Sequence, residues 1–273
     1  MSVSQSEKAD IFRALHGADK GFIIPNPWDI GSAKILASLG FKALATTSAG
    51  FAWAQGKQDA VGSVKREEAL HHGAEIVAAT DLPVSADLED GFGTSPEAAA
   101  KTITQAGKAG LVGGSIEDAS KHEVHDMGLA VERVAAAVEA ARAHAFPFTL
   151  TARAENFLCG NPDLDDTIAR LQAYEAAGAD VLYAPALPDI EAIKAVCQSV
   201  QKPVNVVIGL GAQNVTVDQL FEAGVQRISL GSSFAKAAYG ALFQAAQEIQ
   251  TKGTTNFIDP EFNFPKINSL MSE

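Results

Sequence analysis

The sequence predicts a single-domain (β/α)8 TIM barrel, and three observations carry that expectation. Eight short β-rich runs recur along the chain, helical stretches separate them, and several of those helices end in glycine just before the next run. The runs are 21–27 (GFIIPNP), 42–48 (KALATTS), 83–89 (PVSADLE), 113–118 (GGSIED), 148–155 (FTLTARAE), 179–186 (ADVLYAPA), 203–209 (PVNVVIG) and 227–233 (RISLGSS). Runs that are apolar on both faces and alternate with helices imply parallel βαβ units. Eight such units in about 250 residues fit a closed barrel. The competitor, a doubly wound open sheet, carries a GxGxxG turn after its first strand. Here the first run leads into NPWD instead.

Between the runs, helices are expected over 65–80, 96–109, 128–144 and 163–177. Glycine ends the helix and lets the strand begin within a few residues in LASLGFK, QAGKAGL, YEAAGAD and LFEAGVQ. The Ala-rich stretch 234–250 reads as an amphipathic eighth helix suited to close packing. Residues 1–253 are thus expected to form the barrel. Residues 254–273 form a tail too rich in aromatics to be a mere linker, and it should dock on the barrel or on a partner subunit.

Composition narrows the function. With 273 residues, 47% of them hydrophobic, the chain can bury one large core. No apolar run approaches the ~20 residues of a membrane helix, and the N-terminus lacks the pattern of a signal peptide. Two cysteines, Cys159 and Cys197, make neither a disulfide framework nor a zinc cluster, which points to the cytoplasm. A net charge of −12 argues against nucleic acid as a partner.

A barrel places its chemistry at the C-terminal ends of its strands. The stretch VSADLEDGFG (84–93) ends a strand in three carboxylates within four positions. Alternation along a strand would aim Asp87 and Glu89 at the same face. Two like charges about 5 Å apart at an effective dielectric near 20 repel by about 3 kcal/mol, so a cation, a shared proton or open water must offset them. With Glu117 from the fourth run the set is all oxygen, and it suits Mg2+ or Mn2+ better than zinc. The plainer alternative is a solvated acidic rim. Arg153, at the end of the fifth run, is placed to clamp a substrate carboxylate or to pair with Glu117 or Glu155. His122 and His125 sit in a surface loop, where either could serve as a general acid. Asn205 lines the barrel at the seventh run, as a substrate contact or as a satisfied core group. His71 and His72, on the helix before the third run, read as structural and distant from the active face.

Taken in order, FKALATTSAGFA, ADLEDGFG, GSIED and LTARAEN are similar to the isocitrate lyase/phosphoenolpyruvate mutase superfamily, over about residues 20 to 250. The resemblance implies a (β/α)8 barrel, usually tetrameric, with the eighth helix exchanged between paired subunits. It implies Mg2+ on Asp87, with Glu89 and Glu117 holding its water ligands and Asp59 nearby. It also implies a 2-oxo acid held by the backbone N–H groups of Ser48, Ala49 and Gly50, with Arg153 on its carboxylate. The shared chemistry is a pyruvate enolate stabilised by the metal and by fixed donors.

The chain departs from the pattern in telling places. Isocitrate and methylisocitrate lyases carry a Lys-Arg/Lys-Cys-Gly-His stretch after IED, whereas here the chain reads IEDASKHEVHD, without cysteine. The mutases carry a Lys and an Asn in that loop; here Lys121 is offset and no Asn follows. Glu89 replaces the usual second Asp. These features together suggest a Mg2+-dependent lyase cleaving a C–C bond of a small 2-oxo or 2-hydroxy acid, by retro-aldol cleavage or decarboxylation. Decarboxylation is the easier to reconcile with the missing cysteine. The alternatives are C–P chemistry, as in a phosphonopyruvate hydrolase or a carboxyphosphonoenolpyruvate phosphonomutase, and a metabolite-binding barrel without turnover. The expected partners are a small carboxylate substrate and further copies of the chain, as a dimer or tetramer, with no membrane.

Overall fold

The structure, a computed structural model, describes residues 3–59 and 62–272. Met1, Ser2, Ala60, Val61 and Glu273 lie outside them, and with them the outermost positions of the two expected regions, 1–253 and 254–273. Each of the eight β-rich runs contains one barrel strand. These are β1 (Phe22–Ile24), β2 (Leu44–Ala45), β3 (Val84–Asp87), β4 (Gly113–Glu117), β7 (Thr149–Arg153), β8 (Val181–Tyr183), β9 (Val204–Val207) and β10 (Arg227–Ser229). The labels β5 (Ala119–Ser120) and β6 (Glu123–Val124) belong to a small antiparallel hairpin. The large sheet is parallel, in the order β1-β10-β9-β8-β7-β4-β3-β2. Its open seam is closed by the bond from Ala45 N–H to the Pro25 carbonyl (3.0 Å) and by Asn26 Nδ2 donating to the Thr46 carbonyl (3.0 Å). The result is a near-closed (β/α)8 barrel.

The helices match their sequence signals to within a residue or two, as in Arg66–Ala78, Pro96–Lys108, Met127–Arg142 and Leu164–Ala176. Gly40, Gly110, Gly178 and Gly224 end the helices that were expected to stop on glycine, at φ of 84, 92, 102 and 100°. A side-chain-bearing residue pays to adopt that region and glycine does not. Two apolar clusters fill the space between sheet and helices, one around Leu182, Val204 and Ile228, the other around Leu44, Ile116 and Leu150.

The inside of the barrel is polar near its lower end. The buried Arg227 donates from Nε to Asn205 Oδ1 (2.7 Å) and from Nη2 to Thr151 Oγ1 (3.0 Å). Its Nη1 lies 3.2 Å from His16 Nε2, at the end of the N-terminal helix Gln5–His16. Burial pushes His16 down to about 3 and Arg227 down to about 10, so a neutral imidazole accepts from the guanidinium.

The last elements differ from the rest. The helix Ser233–Lys252 buries only Ala235 and leaves Tyr239, Leu242, Phe243 and Ile249 exposed. The tail ends in a short helix, Phe264–Met271, which lies against the helix Ile30–Ser38. There Lys34 Nζ donates to the Met271 carbonyl (2.7 Å). None of that tail helix's residues is buried.

Candidate active site

The acidic residues converge around one arginine. Arg153 ends β7, between the ends of β4 and β8, and three carboxylates hold its guanidinium. Nη1 lies 3.2 Å from Asp87 Oδ1 and 2.9 Å from Glu117 Oε1, while Nε donates to Glu155 Oε1 at 2.7 Å. Tyr183, at the end of β8, presents its ring face to the guanidinium, with Cζ 4.9 Å from the ring centroid. Such a cation–π contact adds about 1–2 kcal/mol when desolvated. Asp87 is fixed at both ends: Thr46 Oγ1 accepts from its N–H (3.0 Å), and its Oδ2 accepts from the Ser48 N–H (3.2 Å).

Glu89 reaches the same place by a route that strand alternation misses. The strand ends at Asp87, Leu88 turns into the core, and Glu89 adopts φ 49°, so the period-two argument does not apply to it. A backbone bond ties it down, with Glu117 N–H donating to the Glu89 carbonyl (3.0 Å). The following loop is clamped by the buried Arg133, which donates to the carbonyls of Asp90, Gly93 and Ser95. Asp90 accepts from Ser120 Oγ (2.5 Å) on the hairpin, and Ser120 Oγ lies 3.5 Å from His125 Nε2. The sequence reading had assigned no role to Arg133 or Ser120.

The cluster is short of positive charge. Burial, then the neighbouring Asp87, Asp59 and Asp90, push Glu89 up to about 8. Burial also raises Glu117 and Glu155 above the usual carboxylate range, against the pull of Arg153. One guanidinium does not balance this many acids, so near neutral pH protons do part of the balancing. The carboxylates of VSADLEDGFG are thus offset by an arginine and by retained protons.

These groups form the floor of a cavity of about 660 Å³ at the C-terminal ends of the strands. Of the residues singled out from sequence, Ser48, Ala49, Asp59, Asp87, Glu89, Glu117, His122 and Arg153 line it. Gly50, His125 and Asn205 stand outside its wall. Gly50 is buried, and a Cβ there would fall 2.7 Å from Thr47 Cγ2 and 2.8 Å from Trp28 Cβ. Its N–H is directed to Thr47 Oγ1 at 3.3 Å. Asn205 sits lower in the barrel, bonded to Arg227 and to Ser229 Oγ (3.0 Å). His122 occupies the tip of the β5–β6 hairpin with Lys121, at φ 65° and 51°. That segment had been expected to be a plain surface loop. His72 is buried and lines a smaller cavity shared with Asp87 and Glu89, so it is not distant from the active face.

The donor set suits a hard cation of the kind the superfamily resemblance implies. All the side chains are oxygen donors, and with their protons displaced Asp59, Asp87, Glu89 and Glu117 would carry more negative charge than Arg153 offsets. Among the described residues, no three Asp, Glu, His or Cys side chains stand close enough to form a cage by themselves.

The comparisons with known proteins agree with this geometry. The family model for phosphoenolpyruvate phosphomutase matches residues 12–250. The chain belongs to that family. A Burkholderia cenocepacia protein described as a "putative lyase/mutase" is 51% identical, with a TM-score of 0.95 over 98% of this chain and 97% of that one. A "putative phosphonomutase" of the same species is 38% identical, with a TM-score of 0.82 over 90% of this chain and 99% of that one. The "Probable 2-methylisocitrate lyase 2" of Corynebacterium glutamicum is 28% identical over 94% of this chain and 86% of its own. Solved structures at lower identity, including 2,3-dimethylmalate lyase at 24% with a TM-score of 0.86, share the barrel fold. Membership of the phosphoenolpyruvate phosphomutase family thus joins this chain to a superfamily of lyases and mutases built on one barrel.

Proposed function

We propose that the protein is a cytoplasmic, Mg2+-dependent lyase that cleaves a C–C bond of a small 2-oxo or 2-hydroxy acid and releases pyruvate. The observation that carries the reading is the pairing of Asp87 and Glu117 with Arg153, with Glu89 beside them, at the floor of the large cavity. Asp87 would hold the ion directly, with Glu89 and Glu117 on its water ligands and Asp59 beside them. The bound ion would supply Lewis-acid stabilisation of negative charge on the substrate's C2 oxygen.

The chain's own residues do the rest. Arg153 faces the substrate with Nη2, since Nε and Nη1 are given to carboxylates. Arg153 would therefore meet the substrate carboxylate with one prong, while it also pairs with Glu117 and Glu155. The Ala49 N–H stands at the cavity wall to orient the acid, while those of Ser48 and Gly50 are directed to Asp87 and Thr47. His122, at the hairpin tip and on the cavity wall, would deliver a proton to the product carbanion. His125 supports the hairpin through Ser120. Decarboxylation and retro-aldol cleavage both fit, because each leaves the same three-carbon fragment on the floor. The exposed face of the helix Ser233–Lys252 supports a homo-oligomer.

A second reading, C–P bond chemistry, is favoured by the family description and by the 38%-identical phosphonomutase. One panel separates the two. Purified protein with Mg2+ is given oxaloacetate, branched 2-hydroxy diacids and phosphonopyruvate, with pyruvate followed by a coupled assay and phosphorus by NMR. Pyruvate from a carbon acid supports the proposal. Phosphate from phosphonopyruvate alone would replace it with the second reading. Binding of pyruvate and Mg2+ without turnover of any member would leave a metabolite-binding barrel.

A further inference from the structure

Behind the wall of the large cavity lies a second, much smaller one. It has room for one water-sized sphere, about 10 Å³, and Thr47, Ser48, Phe51, His72, Asp87 and Glu89 are among its walls. His72 comes from the helix Arg66–Ala78, is 5% exposed, and stacks on Phe51 with ring centroids 4.2 Å apart and planes 12° from parallel. Its Nε2 is buried without a hydrogen-bond partner among the described residues. Leaving a buried polar atom unpaired costs about 1–3 kcal/mol, and natural proteins rarely leave that cost standing. Buried water commonly satisfies such atoms where the site is polar, offers two to four partners and has roughly 10–15 Å³ of space. Here the imidazole, three hydroxyl-bearing side chains (Thr46, Thr47 and Ser48) and two carboxylates surround a space of that size.

We propose that His72 is a positioning residue that holds one buried water molecule against the Asp87 and Glu89 carboxylates. The water completes the imidazole's hydrogen bonding and gives the carboxylates a fixed neutral donor on the side away from the large cavity. Stacking on Phe51 sets the ring plane. Phe51 lies in the short helix Ser48–Ala54, so the same contact links the His72 helix to the segment that carries Ser48 and Ala49. His72 thereby fixes the two carboxylates through the water without touching substrate.

The proposal has two tests, and only the second rests on the reading of Asp87 and Glu89 as ion-binding groups. A crystal structure of the full chain at a resolution that places waters should show one within about 3.2 Å of both His72 Nε2 and a carboxylate oxygen of Asp87 or Glu89. An empty cavity overturns the proposal, and this arm needs no variant. The second arm titrates Mn2+ into folded wild type, His72→Phe and His72→Gln, read by electron paramagnetic resonance. His72→Phe should weaken binding about tenfold, as loss of an outer-shell partner does, whereas His72→Gln, which keeps a polar atom, should restore it to within about threefold. Equal affinities in all three proteins overturn the proposal. If wild type itself binds no Mn2+, the proposed function loses its ion, and the water in the crystal still decides the role of His72.

Discussion

Arg153 holds Asp87, Glu117 and Glu155 together at separations where carboxylates would otherwise repel. Glu89 stands outside that grip, and its proton affinity has a measurable consequence. In the unfolded chain its carboxyl titrates near its ordinary value of 4.5, and in the folded protein it is pushed up to about 8. As pH rises between those values the unfolded state gives up the proton first, so the native state loses stability across that window and the slope flattens above it. Glu89→Gln removes this contribution. Urea denaturation at a series of pH values should therefore show the variant gaining on wild type as pH rises from about 5 to 8, and parallel curves would contradict the assignment. A divalent ion bound here displaces that proton, so near pH 7 its binding should release about one proton, seen as a buffer-dependent enthalpy in calorimetry.

At the scale of elements, the loop after β3 depends on Arg133, which reaches from the helix Met127–Arg142 to three carbonyls of residues 90–95. Arg133→Met leaves those carbonyls without their charged donor and should lower stability by about 2–4 kcal/mol in chemical denaturation, with activity falling further as Glu89 loses its support. The barrel itself was legible because its signals are local: apolar runs, helical stretches and terminal glycines such as Gly110 and Gly178. Asp87, Glu117 and Arg153 were legible because they end regular strands, where position along the chain gives position in space. Glu89 was placed correctly for the wrong reason, since a left-handed turn and not alternation brings it round. The β5–β6 hairpin has strands of two residues each, too short to leave a periodic signal. His72 was misplaced because its reach depends on how a helix packs over the next strand's end, which no local pattern encodes. Of the two readings of Asn205, its bonds to Arg227 and Ser229 fit the satisfied core group.

For the whole molecule, the last helix is the anomaly. A barrel helix normally buries one face against the sheet, yet Ser233–Lys252 keeps Leu242 and Phe243 65% and 68% exposed. Together with Tyr239 and Ile249 they form an apolar face of the kind that subunit contacts cover. Sedimentation velocity should give a dimer or tetramer for wild type, and Leu242→Glu with Phe243→Glu should shift it toward monomer while the circular dichroism spectrum is kept. A wild-type monomer at micromolar concentration would rule this out. Among the described residues no helix is long and apolar enough to cross a membrane.

In the proposed function Asp87 anchors a divalent ion beside Arg153. Titrating Mn2+ into wild type and Asp87→Asn, with bound ion counted by electron paramagnetic resonance, measures that anchoring. Wild type should bind one ion per chain, and the isosteric variant should lose at least tenfold in affinity. Equal binding by the two proteins, or none by wild type, would contradict it.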